Sequence, residues 1–265
     1  MVKFAVGKFL WATTPLRVPY DVMVQPKDRG GLGLQDPTRK ARVMLAARWE
    51  SSARADTPTL SGCWLRHLQQ RYADSVKVPA CVKHYSAACR SAAFAGVPDL
   101  VGRELNKALY DAALAEDVPL PRAMRGVSPA VQRDVWSSVH IKTLPVDARA
   151  TWFKVVHDVL PTAMRLMAAN QATIPDCSKC GEAEDVTHRL ARCGDGRRAA
   201  WAWLVRHVKD TTGEMVTEAS ITKPATMAAA ATWTLGVAVH FLATRRNIGA
   251  GDLRRYLERR RREEF

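Results

Sequence analysis

Apolar residues recur at helical spacing along most of the chain, and the strict alternation that marks a β-strand is rare. Leu105 and Leu109 form one apolar stripe, while Ser128 and Thr162 are residues of the type that caps a helix N-terminus. Helices are predicted over 40–54, 63–72, 82–94, from 98 onward, over 128–139 and over 252–265. The pattern therefore predicts a mainly α-helical fold, an array of helices without a sheet.

Three segments interrupt or modify this pattern. Residues 26–34 read P-K-D-R-G-G-L-G-L, which lacks the Gly-Lys-Ser/Thr ending of a nucleotide-binding loop and is interpreted as a turn before a helix. Residues 225–244 contain no Lys, Arg, Asp or Glu, but their Ala and Thr content favours a buried helix over a membrane span. Residues 211–223 are predicted to be a polar linker.

The charge narrows the choice of partner. A formal net charge of +14 favours a polyanion, with nucleic acid first and an anionic membrane second, although a basic surface also serves solubility. Six cysteines in 265 residues, without an even framework, indicate a reducing compartment. We expect a nuclear or cytoplasmic protein that binds RNA or DNA, with neither a membrane span nor a small-molecule substrate.

Three of the six cysteines fall within 17 consecutive positions and share them with a histidine. Cys177, Cys180, His188 and Cys193 form C-x2-C-x7-H-x4-C, a complete tetrahedral ligand set for Zn²⁺. Four protein ligands leave no open position for water, so such a site is structural rather than catalytic. The alternative is a set of ordinary buried thiols and one surface histidine. A retroviral knuckle would place four residues before the histidine, not seven.

The residues around this cluster have a recognisable order. A Trp152-Phe153 helix, the L-P-T-x-x-R-L turn at 160–166, Ile174-Pro175, the cluster and Trp201 follow one another. This order resembles the zinc-binding region at the C-terminus of reverse transcriptases from non-LTR (LINE-type) retrotransposons. A second segment, F-L-W at 9–11 followed by 26–34, is similar to one that follows the palm and thumb of that family.

The resemblance implies a function and a division of the chain. The parent would be an RNA-directed DNA polymerase that copies element RNA at a nicked target, with Cys177, Cys180, His188 and Cys193 as zinc ligands. Its upstream polymerase domains would be partners in the same polyprotein. The implied regions are 1–55 (thumb end and connector), 56–126 (helical linker), 127–210 (zinc-binding region) and 211–265 (helical tail).

The chain departs from a complete polymerase. Residues 72–75 read Y-A-D-S, where two-metal polymerisation needs paired carboxylates, and they follow the Gly-rich segment that the family's palm precedes. We expect this chain not to be catalytic alone and to be a truncated copy or a fragment. The other hypotheses are a domesticated zinc-dependent nucleic-acid adaptor and a zinc-stabilised protein-interaction domain.

Basic side chains near the zinc region and in the tail are the candidates for nucleic-acid contacts. They are Arg165, Arg197, Arg198, Arg254 and Arg255. Trp201 and Trp203 follow the cluster on a predicted helix; they either stack on bases or supply the hydrophobic core that a small zinc site lacks.

Overall fold

The computed structural model describes residues 17–54, 63, 67, 71, 102–115, 124, 126–224, 226–245 and 248–264. Within these residues the protein is mainly α-helical, as the apolar pattern predicts, and the one β interaction described is an isolated bridge. The helix predicted over 82–94 and the motifs at 9–11 and 72–75 lie outside the described residues, and the helix predicted over 63–72 lies almost wholly outside them.

The described residues form ten α-helices and two shorter turns. They are α1 (Tyr20–Met23), α2 (Pro37–Arg54), α3 (Gly102–Ala115), α4 (Pro129–Val139), α5 (Val146–Val156), α6 (Ala163–Ala168), α7 (Arg197–Thr212), α8 (Ala219–Thr222), α9 (Ala229–Thr244) and α10 (Ala250–Glu264), with a 3-10 turn (Lys27–Arg29) and a π-helical turn (His188–Arg192).

Two helix starts that the sequence predicts are confirmed. The Ser128 hydroxyl accepts a hydrogen bond from Val131 N–H at 3.5 Å, and the Thr162 hydroxyl accepts one from Arg165 N–H at 3.3 Å. Each hydroxyl satisfies one of the amide groups that a helix start leaves without an intrahelical partner.

The chain divides into two compact units, residues 33–119 and residues 1–32 with 120–265. In the first unit, α2 and α3 pack through a small core of Val43, Ala46, Ala47, Leu105 and Leu109. The apolar stripe predicted at Leu105 and Leu109 is therefore the face that α3 buries.

In the second unit, α9 is the central helix and packs against α5, α7 and α10. Almost all of it from Ala231 to Leu242 is buried, which confirms the buried helix predicted over 225–244. A Cβ on Gly236 would lie 2.8 Å from the Trp152 ring, so the missing side chain allows α9 to approach α5 closely. No helix in the described part of the chain has both the length and the apolar character of a membrane span.

The segment predicted as a polar linker at 211–223 differs from the prediction. Helix α7 continues to Thr212, and α8 lies within the segment with Ile221 fully buried. The Trp152 indole N–H donates to Ile221 O at 2.9 Å. This contact joins residues 69 positions apart, so the local polar composition could not indicate it.

The Gly-rich segment is a turn before a helix, as predicted. Its 3-10 turn packs against α4, and Gly30 O accepts a hydrogen bond from His157 Nε2 at 2.8 Å. Since a carbonyl only accepts, His157 carries its proton on Nε2. The His157 ring also stacks on Trp136, with 4.9 Å between ring centroids. His157 is thus a core residue, not a spare metal ligand.

Candidate metal centre

A tight turn holds the first two cysteines of the cluster. An antiparallel bridge between Asp176 and Ala183 closes the turn, and Gly181 N–H donates to Cys177 O at 2.9 Å. Gly181 has φ of 75°, a left-handed conformation that glycine adopts without the steric cost of a Cβ. Cys177 and Cys180 therefore lie at the two ends of one glycine-turned loop.

The four predicted ligands come together. One donor atom from each of Cys177, Cys180, His188 and Cys193 lies within 4.8 Å of all the others. The Cys177 and Cys193 sulfurs are 3.7 Å apart, the Cys193 and Cys180 sulfurs 4.0 Å, and Cys180 Sγ is 3.2 Å from His188 Nε2. The cluster can hold a metal ion.

His188 is oriented from both sides. The Asp185 carboxylate accepts from the His188 amide and so caps the helical turn on which the ring is mounted. The His188 Nδ1 atom lies 3.3 Å from a Glu182 carboxylate oxygen, which leaves Nε2 directed at the thiols. A carboxylate on the far ring nitrogen fixes the tautomer and raises the basicity of a metal-ligating histidine.

The thiols differ in acidity. Burial would raise the pKa of the Cys177 thiol, but hydrogen bonds from the Lys179 and Cys180 amides and from His188 bring that pKa down to about 7. Burial, with the neighbouring thiols of Cys177 and Cys180, raises the pKa of Cys193 to about 12. Binding of a cation must displace the proton of Cys193, so metal binding at this cluster releases protons.

The turn that holds the cysteines is bonded to the L-P-T segment that precedes it. The Glu184 carboxylate accepts from Ala163 N–H at 2.8 Å and so caps α6 together with Thr162. The Arg189 guanidinium donates to Pro161 O at 2.8 Å and lies 3.5 Å from Glu184. These bonds give a physical reason for the two sequence motifs to occur together.

Arg197, predicted as a nucleic-acid contact, is a structural residue instead. Its guanidinium is buried and donates to Leu242 O at 3.3 Å and to Arg245 O at 2.9 Å, and it pairs with Asp195. The two carbonyls belong to the last turn and the cap of α9, where a helix presents acceptors without intrahelical partners. Arg197 therefore joins the metal region to the C-terminus of α9.

The other predicted arginines lie nearer to solvent. Arg165 is half-buried, with its Nε bonded to Asp158 O at 2.8 Å. Arg198, Arg254 and Arg255 are exposed. Arg254 is paired with Glu258 at 2.9 Å and Arg255 with Asp252 at 2.7 Å, and whether any of these arginines contacts nucleic acid stays a prediction.

The two tryptophans after the cluster have different roles. Trp201 is buried, which supports the interpretation that it belongs to the hydrophobic core, whereas Trp203 is half-buried and borders a cavity. His207, Trp233 and Arg261 border the same cavity, and no motif in the sequence groups them. Trp203 and His207 share a helical i, i+4 spacing that was available as a signal; Trp233 and Arg261 come from other helices.

Comparison of the chain with models of protein families, with curated proteins and with solved structures found no match.

Proposed function

We propose that this chain is the zinc-stabilised, nucleic-acid-binding C-terminal region of a LINE-type retrotransposon reverse transcriptase. In this role it grips template RNA or target DNA during target-primed reverse transcription, in the cytoplasm and nucleus, while catalysis belongs to upstream polymerase domains. The observation that carries the proposal is the Cys177, Cys180, His188 and Cys193 cluster, assembled at one point within motifs that resemble those of the family.

Zinc is the metal that the donor set favours. Three thiols and one imidazole are soft and borderline ligands that suit Zn²⁺, whereas Mg²⁺ and Ca²⁺ take oxygen ligands. Two thiolates each about 2.3 Å from a tetrahedral ion lie about 3.8 Å apart. The sulfur separations of 3.7 and 4.0 Å are close to that value. The ion would be structural, because four protein ligands complete its shell.

Charge supports the nucleic-acid part of the proposal. The chain carries a net charge of +14, and α10 presents the exposed Arg254 and Arg255. Each phosphate that a basic side chain neutralises releases condensed counterions, so the affinity for nucleic acid falls steeply as salt rises. An apolar protein interface would respond little to the same change.

The test measures binding of the zinc-loaded chain to single-stranded RNA and to duplex DNA by fluorescence anisotropy at several salt concentrations. We expect a linear fall of the logarithm of the binding constant with the logarithm of salt. The double variant Arg254→Gln/Arg255→Gln should lower the steepness of the RNA slope by up to about 1.4, about 0.7 for each lost phosphate contact.

A matched control removes the same charge elsewhere. Arg133→Gln/Lys142→Gln changes two exposed basic residues on α4 and in the loop after it. We expect this control to shift the slope less than the α10 double variant does. Absence of binding to either nucleic acid at low salt would contradict the proposal and leave the protein-interaction hypothesis in its place.

A further inference from the structure

Helices α7, α9 and α10 enclose a cleft of about 230 Å³ that has no part in metal binding. Its principal lining residues are Trp203 and His207 from α7, Trp233 from α9, and Arg254, Glu258 and Arg261 from α10. Aromatic rings and guanidinium groups thus meet around one cavity.

The aromatic side of the cleft is flat and preorganised. The rings of Trp203 and His207 are stacked, with 4.7 Å between centroids and 11° between planes. The Arg261 guanidinium lies over the Trp233 ring, 5.8 Å from its centroid. Both arrangements fix planar groups in place before any ligand arrives, which lowers the entropy cost of stacking another planar ring against them. The geometry favours a flat heterocyclic ligand.

The charge of the cleft favours an anionic ligand. Arg254 and Arg261 contribute two positive charges, and Glu258, bonded to Arg254 at 2.9 Å, contributes one negative charge. Burial lowers the pKa of His207, as do the charges of Arg261 and Arg254, so its imidazole is neutral at pH 7. The cleft therefore keeps a net positive charge, while Glu258 and His207 offer hydrogen-bonding groups beside it.

Size and surroundings select among planar anions. A cavity of about 230 Å³ is smaller than the roughly 300 Å³ or more that drug-sized ligands occupy, so it suits one base rather than a dinucleotide cofactor. Arg255, next to Arg254 in sequence, is paired with Asp252 at 2.7 Å and lines a different groove, so the cations of this cleft are Arg254 and Arg261. Bases within a duplex are stacked and cannot enter such a cleft, whereas those of a single strand can.

We propose that the cleft between Trp203, Trp233, Arg254 and Arg261 binds one unstacked nucleobase of a single-stranded nucleic acid. The base stacks on the Trp203 ring, and the arginines bind the adjoining phosphates. This inference rests on the proposed nucleic-acid-binding function and names the place where the strand is held.

The experiment compares four probes on the full zinc-loaded chain. They are a single-stranded RNA of about 12 nucleotides, the same strand with its bases removed, a duplex of the same sequence, and adenosine monophosphate. Trp203→Leu removes the ring and should weaken binding of the RNA about ten-fold, with little effect on the strand that lacks bases. Trp203→Phe keeps a stacking ring and should restore most of that loss.

Charge and folding have their own controls. Arg261→Gln should weaken RNA binding, whereas Arg206→Gln, an exposed arginine on the same helix as Trp203, makes the same charge change away from the lining residues and should have a smaller effect. Circular dichroism and zinc content establish that each variant folds. Ultraviolet cross-linking of RNA that contains 4-thiouridine, followed by peptide mapping, should label the α7 segment with Trp203 and His207.

The results distinguish failure of the cleft proposal from failure of the proposed nucleic-acid-binding function. RNA binding that Trp203→Leu leaves unchanged overturns the cleft and leaves the nucleic-acid function standing. Failure of the wild-type chain to bind RNA overturns that function. If the wild-type chain fails to bind RNA but adenosine monophosphate quenches its Trp203 fluorescence, the cleft is a site for free nucleotides and the strand proposal is wrong. The Trp203→Phe variant lacks this fluorescence and so identifies it.

Discussion

At the residue scale, the backbone of Gly196 lies so close to the Ile248 carbonyl that no side chain fits between them. It has φ of 100°, and a Cβ at this position would lie 1.8 Å from Ile248 O. Gly196→Ala must therefore both adopt a left-handed conformation and move the segment before α10. We expect the free energy of unfolding to fall by about 3 to 4 kcal/mol, measured by urea denaturation with zinc present.

A second glycine separates these two causes. Gly213 also has a left-handed φ, of 75°, but a Cβ there would meet no atom within 4 Å. Gly213→Ala should cost only about 1 kcal/mol, the conformational part alone. Equal losses in the two variants would show that the contact with Ile248 contributes nothing.

His157 makes a prediction about pH. Burial lowers the pKa of His157 to about 4, and the hydrogen bond to Gly30 O offsets this only in part. Between pH 4 and pH 6.5 the unfolded chain therefore binds the proton more readily than the folded chain does. The stability from this residue is present above pH 6.5 and is lost as the pH falls towards 4. Between pH 7 and pH 5 the loss is up to about 2 kcal/mol.

An NMR titration of His157 checks that pKa directly. The variant His157→Phe keeps a ring beside Trp136 and removes the titrating group, so its urea midpoint should fall less between pH 7 and pH 5 than that of the wild-type chain. A His157 signal that titrates near pH 6.5 would contradict the account.

At the element scale, the Arg197 side chain bonds the metal region to the C-terminus of α9. Arg197→Ala removes donors from Leu242 O and Arg245 O and leaves the half-buried Asp195 without its cation. We expect the free energy of unfolding to fall by about 3 kcal/mol, and hydrogen exchange in the last turn of α9 to become faster. Arg198→Ala, its exposed neighbour, should cost less than about 0.5 kcal/mol.

These two arginines show what sequence alone can predict. The caps at Ser128 and Thr162 and the clustering of the three cysteines with His188 depend on neighbours within a short stretch, so spacing predicted them correctly. Arg197 and Arg198 are adjacent and chemically identical, yet only Arg197 donates to Arg245 O, which lies 48 positions away in the sequence. Its burial was therefore not predictable from the sequence.

The C-terminal helix shows that spacing alone does not select an ion-pair partner. Glu258 has an arginine four residues away on each side, Arg254 and Arg262, and it bonds Arg254 at 2.9 Å. Both arginines are at i, i+4 spacing from Glu258, and in an isolated helix the order with the glutamate first, Glu258 to Arg262, is the more favourable. Arg254 and Glu258 both line the cleft beside Trp203, and the local sequence does not indicate this.

At the scale of the whole molecule, the metal centre is part of the core rather than an appended finger. The π-helical turn that carries His188 packs against α7 and α9, Arg189 and Glu184 join the turn to α6, and Arg197 joins it to the end of α9. Removal of the ion should therefore destabilise the helices packed on the cluster as well as the four ligands.

Removal of zinc tests this connection. If the cluster holds zinc as proposed, the ion contributes on the order of 10 kcal/mol, comparable to the whole stability of a typical domain, and we expect the metal-free turn to unfold. Chelation or Cys180→Ser should abolish slow hydrogen exchange in α7 and α9 as well as in residues 177–193. Cys63→Ser, at an exposed cysteine outside the cluster, is the matched control and should leave exchange unchanged. If chelation leaves α7 and α9 protected, the metal holds only its own loop; if it changes nothing at all, the thiols hold no structural metal.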